Sequence, residues 1–402
     1  MGNPMNAWDG TCPREILENG EEGLSEYAAR SRGANETRAH SIVPDPFRTE
    51  FERDYTRIIH CRAFRRLRHK TQVFLSPEND HICTRLEHSL YVASISRTLA
   101  RALNLNENLV LAIAAGHDLG HAPFGHIGES ILHGLAEKHG LGRFWHEEHS
   151  LRIVDSLEKF KEYHHQGLNL TLAVRDGIAC HYGESFPAEL APDRSKGPDY
   201  ILKERKKDRP RSLEGCVVRC VDVVAYLGRD LEDGMLVNLV KEDAIPADVR
   251  QLLGTSNRSI IDRLIGDIYA NAVQDGFPDR IRFSEDMIHA GNCLKEFNYK
   301  RIYETDFVRR RQAVLTKAIG ILFDELVALV GSCRDDLAGL PRQKSPFSTQ
   351  VSQVLLEFLR DDLGLATVES DAKAKEYVLY FIAGMTDNFF LRVFTEMFQG
   401  EV

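Results

Sequence analysis

An all-α fold is what this chain predicts, on three observations. Apolar residues recur at helical spacing through most of the sequence, strand-like alternation is scarce, and no repeat or low-complexity tract interrupts the pattern. With 402 residues and 43% hydrophobic content, the chain can bury a sizeable core as one large domain or two. The pattern divides it into a polar segment (1–50), a helical core (51–250) and a C-terminal helical extension (251–402).

Taken in order, residues 1–45 are polar and weakly periodic, with a short helix expected around 22–32. Helical patterning begins at Phe51, and 53–70 is strongly basic: Arg53, Arg57, Arg62, Arg65, Arg66, Arg68 and Lys70. These residues suit either a helix with a solvated basic face or one whose arginines point at phosphates. A loop with Pro77, Asn79 and Asp80 leads into a second helix over 84–103. There His88, Val92, Ile95 and Leu99 form one inward stripe, and Arg85 lies one turn before His88. Residues 183–212 are rich in Pro, Lys, Arg and Asp and read as a long mobile loop or insertion over the site. Helical patterns resume at Leu213 and recur over 261–274, 284–302, 306–329, 349–362 and 372–398.

One stretch stands out chemically, LVLAIAAGHDLGHAPFGHIGE (109–129). Val110, Ile113 and Ala114 have the spacing of a buried helical face, and the same periodicity continues to His117, Asp118 and His121. An apolar stripe that ends in imidazoles and a carboxylate is costly unless those groups are paired or bind metal. Pro123 and Gly125 then break the chain, and His126 and Glu129 follow on one face of a new turn. In the helix from Leu213, Asp222, Tyr226 and Asp230 share a face, and Asp222 lies among valines. A buried metal ligand explains such a carboxylate more economically than an internal ion pair does.

No apolar run reaches the length of a membrane span, and the N-terminus lacks the apolar core of a signal peptide. The eight cysteines are scattered without framework spacing, so they read as reduced thiols of a cytoplasmic protein. Cys216 and Cys220, one turn apart, read as two buried helix thiols. A formal charge of −9 argues against general nucleic-acid affinity, and an anionic substrate would need local help from metal and arginine.

The set His88, His117-Asp118 and Asp222 resembles the HD-domain phosphohydrolases. RDYTRIIHCRAFRRLRHKTQVF (53–74), TRLEHSLYVA (84–93), GHDLGHAPFGHIGE (116–129) and IAGMTDNF (382–389) are similar to bacterial dGTPase-like deoxynucleoside triphosphate triphosphohydrolases. The resemblance extends from about Ser31 to the C-terminus. It implies an all-α HD-domain core, an oligomer that is often hexameric, and conversion of a dNTP to deoxynucleoside and inorganic triphosphate. It implies His88, His117, Asp118 and Asp222 as metal ligands, with His121, His126 and Glu129 around the scissile phosphate. His146, in FWHEEHSLRIV, matches a further active-site histidine. Gln72, Tyr226 and Asp230 match residues that hold the deoxyribose, and Arg85 matches a phosphate-contacting arginine. A nucleotide effector is a further implied partner.

Two imidazoles and two carboxylates suit Mn²⁺, Mg²⁺, Fe²⁺ or Co²⁺ rather than structural zinc. Loss of the nucleoside 5′-oxygen from the α-phosphorus benefits from a proton donor, for which His126, oriented by Glu129, is the candidate. An HD hydrolase of another nucleotide phosphate ester shares the metal set but has no use for the sugar residues. A nucleotide-sensing protein with little catalysis is a rival from another class. An HExxH-like protease is disfavoured by Asp118 in place of glutamate and by Pro123.

Overall fold

The computed structural model describes residues 12–72, 82–160, 165–182, 186–197, 208–342 and 347–399. As the periodicity predicts, it is all-α. Sixteen α-helices account for most of the described residues, and the only sheet among them is a two-residue antiparallel pair.

The helix Glu107–Gly116 is the centre of the fold. Asn106 caps it by accepting from the amides of Asn108 and Leu109, and seven of its ten residues are buried. It packs against Glu50–His60, Arg85–Ala102, Leu172–Ala179 and Leu213–Leu236. Two of these neighbours start with a full capping box, Thr49 with Glu52 and Thr84 with Glu87. The second box fixes where helix Arg85–Ala102 begins, and so sets His88 in its first turn.

Two apolar clusters result. One unites residues between Ala28 and Ile302 around the central helix. The other joins Gly125–Lys138 to helices from Asp306–Ser332 onward. Asp387 ties the C-terminal part to the centre, accepting from the amides of Thr71 and Phe124. Buried Lys70 donates to the carbonyls of His121 and Ala383.

Several expectations are corrected. The first helix is Pro13–Gly20, not 22–32, because Pro13 opens it and Glu21 and Glu18 turn inward to bind their own segment. Residues 53–70 are not one helix; the chain breaks at Cys61 between Glu50–His60 and Arg62–Arg66. Arg57 donates to the carbonyls of Leu168 and Asn169, and Arg62 and Arg66 pair with Glu158, so these cations stitch the fold together. The 372–398 pattern is two helices, Asp371–Ala383 and Asp387–Gln399, parted at Gly384.

The expected 183–212 loop lies partly outside the described residues, at 183–185 and 198–207. The rest is anchored. Glu189–Leu190 pairs with Ile281–Arg282, Phe186 packs edge-on against Phe283, and Lys196 is buried on Asp176. No helix among the described residues is long and apolar enough to cross a membrane. All eight cysteines are free, and Cys216 and Cys220 are buried.

Candidate metal-dependent active site

The central helix ends at Gly116, and His117 follows as its C-terminal cap. His117 is fully buried, and its Nδ1 lies 2.7 Å from the carbonyl of Ala114. A carbonyl only accepts, so Nδ1 carries the proton and Nε2 is left as a lone-pair donor. That Nε2 has no hydrogen-bond partner. It stands 3.4 Å from Asp118 Oδ1 and 3.6 Å from Asp222 Oδ1. His88 Nε2, from the neighbouring helix, is 2.8 Å from the same Asp222 oxygen and 4.0 Å from Asp118 Oδ2. His88, His117 and Asp222 thus offer ligand atoms within 4.8 Å of one another. In the metal-free site a proton takes the place of a cation on Nε2: burial opposes a charged His117, but Asp118 and Asp222 outweigh it and raise the imidazole to about 9. Burial likewise opposes Asp222, yet the two histidines hold its carboxyl far below the usual range.

Beside this group, His121 Nε2 donates to Asp118 Oδ1 at 3.1 Å and its ring stacks on His146 at 3.8 Å. Burial, Arg85 and His146 together push His121 well down, so it is neutral. Glu129 serves two histidines unequally. Its Oε1 accepts from the amide and Nδ1 of His146, both at 2.9 Å, and its Oε2 is 3.5 Å from His126 Nδ1. His126 is the exposed member, on the wall of a cavity of about 280 Å³.

Glycine makes this closeness possible at two positions. A Cβ on Gly120 would fall 2.2 Å from the His146 carbonyl, where helix His146–Arg152 crosses and Ser150 Oγ accepts from the Gly120 amide. Gly125 has φ +60 and would press on Gln72 O. Before it, Phe124 holds a left-handed φ of +66, stabilised by Asp387 on its amide.

The cavity also gathers Gln72, Arg85, Tyr226 and Asp230. Arg85 is buried, pairs with Asp118 at 3.0 Å, and keeps Nε and one terminal nitrogen without partners. Gln72 Oε1 and Asp230 Oδ1 are also unpartnered. Burial pushes the Asp230 carboxyl up to about 7, and Tyr303 donates to its other oxygen. All twelve residues singled out in the sequence lie in or directly beside this one cavity.

Sequence reasoning missed Glu147, His181 and Tyr303. His181 repeats the device of His117: Nδ1 lies 2.6 Å from Ile178 O, three residues back, and Nε2 faces His146 Nε2 at 3.1 Å. Burial, then His117 and His146, lower it to about 4. Its signal was readable, since Val174, Ile178 and His181 continue one apolar stripe. Tyr303 sits on the π-helical segment Tyr299–Tyr303 and had no local signal.

Comparison with known proteins follows the same lines. The HD domain family matches residues 85–227. The chain is similar to the deoxyguanosinetriphosphate triphosphohydrolase-like protein of Desulfatibacillum aliphaticivorans, 37% identical over 390 residues, 96% of this chain and 97% of the relative. The protein of the same name from Caldanaerobacter subterraneus is 37% identical over 386 residues, 96% and 95% of the two chains. That of Ralstonia nicotianae is 33% identical over 407 residues, 94% of each.

Proposed function

The chain belongs to the HD-domain family of deoxyguanosinetriphosphate triphosphohydrolase-like proteins, and on that premise we propose that it hydrolyses deoxynucleoside triphosphates, dGTP among them, to deoxynucleoside and inorganic triphosphate. The observation that carries this reading is the orphaned His117 Nε2, fully buried in one cluster with His88 and Asp222 and 3.4 Å from Asp118 Oδ1. A divalent ion (Mn, Mg, Fe or Co) fits that donor set, with those four residues as its holders. When bound, it supplies Lewis-acid polarisation of a phosphate oxygen and a more acidic water.

The chain's own groups do the rest. Arg85 has two unpartnered nitrogens for phosphate oxygens. Gln72 and Asp230 present unpartnered oxygens to accept from a sugar hydroxyl, and Tyr226 occupies the wall between Asp222 and Asp230. Water oxygen bonds to the α-phosphorus as the bond to the 5′-oxygen breaks; His126 delivers a proton to that leaving oxygen and recovers one from the water that attacked. His126 suits this role better than His121, whose Nε2 is committed to Asp118. His146, locked by Glu129, backs the stacked His121 ring. Self-association belongs to the same reading; the exposed stripe Phe307, Val314 and Ile321 offers a face for it.

The test is product analysis of the metal-loaded protein with each of the four dNTPs and GTP. Deoxynucleoside plus triphosphate supports the reading. Pyrophosphate or monophosphate as product sinks it, and GTP turnover matching dGTP sinks the deoxynucleotide assignment.

A further inference from the structure

All three π-helical segments among the described residues line a cavity. Tyr299–Tyr303 lines the active-site cavity. Ile153–Leu157 and Phe358–Asp362 both line a second one, of about 240 Å³. A π turn gives up regular helical bonding and is frequently found at functional sites. Two of them facing one cavity, from segments two hundred residues apart in the chain, mark that cavity as built.

One wall comes from the central core, with Arg62, Arg66, His149 and Glu158. The other comes from the C-terminal helices, with Phe358 and Tyr380. His149 is the unfinished group. It is 2% exposed, its ring stacks on Tyr380 at 5.5 Å, and neither ring nitrogen has a hydrogen-bond partner. Burial, with Arg152, Lys70 and Arg66 nearby, keeps it neutral, so it offers one donor and one acceptor. The cations are already compensated: Arg62 lies 2.5 Å from Asp362, and Arg66 lies 3.5 Å from Glu158. No surplus positive charge awaits a phosphate. The volume is close to that of the active-site cavity, and with no free cation among the described lining residues the aromatic wall suits a flat, uncharged ring system.

We propose that this cavity binds an uncharged planar heterocycle of nucleobase size, packed on the aromatic wall and hydrogen-bonded to His149. The cavity is joined to the active site by short connections. Ser150, next to His149, donates to His117 O and accepts from the Gly120 amide. Ala383, next to lining residue Gly384, shares Lys70 with His121 O. Binding is read without turnover, so the inference stands or falls apart from the proposed reaction.

The probe is adenine, which lacks the sugar and phosphates that the active-site residues address. Calorimetric titration into the metal-loaded full-length protein is expected to show saturable binding that excess dGTP does not displace. Val354→Trp, which fills the cavity from its rim, and His149→Phe, which keeps the ring and removes its nitrogens, should each weaken binding by about tenfold or more, the worth of one or two hydrogen bonds. Tyr226→Ala, in the other cavity, should leave it unchanged. Absence of saturable binding, displacement by dGTP, or indifference to either cavity substitution overturns the proposal. Crystals of the unsubstituted protein soaked in adenine decide the matter even if a variant fails to fold: density against His149 supports it, and density only elsewhere overturns it.

Discussion

His88 Nε2 and Asp222 Oδ1 stand 2.8 Å apart although 134 residues separate them in sequence. Metal bonds of about 2.1 Å at near right angles put neighbouring ligand atoms about 3 Å apart, so this spacing suits adjacent ligands of one ion. Replacing His117 or Asp222 by alanine is expected to abolish bound metal and turnover together. Elemental analysis checks this, and full occupancy in both variants would remove them from the ligand set.

His126→Ala should keep metal and substrate affinity but lose roughly 10²–10⁴-fold in kcat, the usual worth of general acid–base help. The residue is exposed on the cavity wall and holds up no core, so its loss should leave the melting temperature unchanged. A rate within a few-fold of the parent would take the proton donor elsewhere.

Tyr226 lies one turn from Asp222 and one from Asp230 on helix Leu213–Leu236, so a metal ligand fixes where its ring points. Steric exclusion at the sugar should make dNTP turnover far exceed that of the matching NTP. Tyr226→Ala should narrow that ratio chiefly by improving NTP turnover. Comparison of kcat/KM for dGTP and GTP measures it, and an unchanged ratio makes Tyr226 only a packing residue.

Asp230 gives a pH signature in the metal-free protein. Burial raises its carboxyl to about 7 from the ordinary 3.8, so between those values the folded chain holds a proton that the unfolded chain has released. Stability therefore falls as pH rises through this window and is lowest above about pH 7, by a few kcal/mol at most. Asp230→Asn keeps an acceptor for Tyr303 and cannot ionise. Its melting temperature should exceed the parent's above about pH 7, with the difference shrinking toward acid. A difference independent of pH would show that Asp230 is not the titrating group.

Arg38 anchors the N-terminal segment to the core. It is fully buried between Glu50 and Asp54, both at 2.5 Å, and donates to Asn169 O. Arg38→Met strands two buried carboxylates and should destabilise by about 3–5 kcal/mol. Denaturant unfolding reads this, and a loss under about 1 kcal/mol would mean that the pair is replaceable by packing.

What the sequence by itself determined was the all-α class, most helix positions, and the placing of His88, His117 and Asp222 on inward stripes. Helical periodicity is a local property, and a polar group that continues an apolar stripe must face the core wherever that core lies. Arg85 and Asp230 were reached only through resemblance, whereas stripe reasoning could have reached His181. Tertiary structure alone decided the rest. Whether Arg57 and Arg62 met phosphate or protein depended on Leu168 O, Asn169 O and Asp362, which arrive from distant segments. The pairing of Asp230 with Tyr303 and of Glu129 with His146 was decided in the same way. The 183–212 stretch read as loop from its composition, yet Phe186 and Glu189–Leu190 found partners near residue 282. Periodicity tells a side chain which way to face; only the packing of helices against one another decides what it meets there.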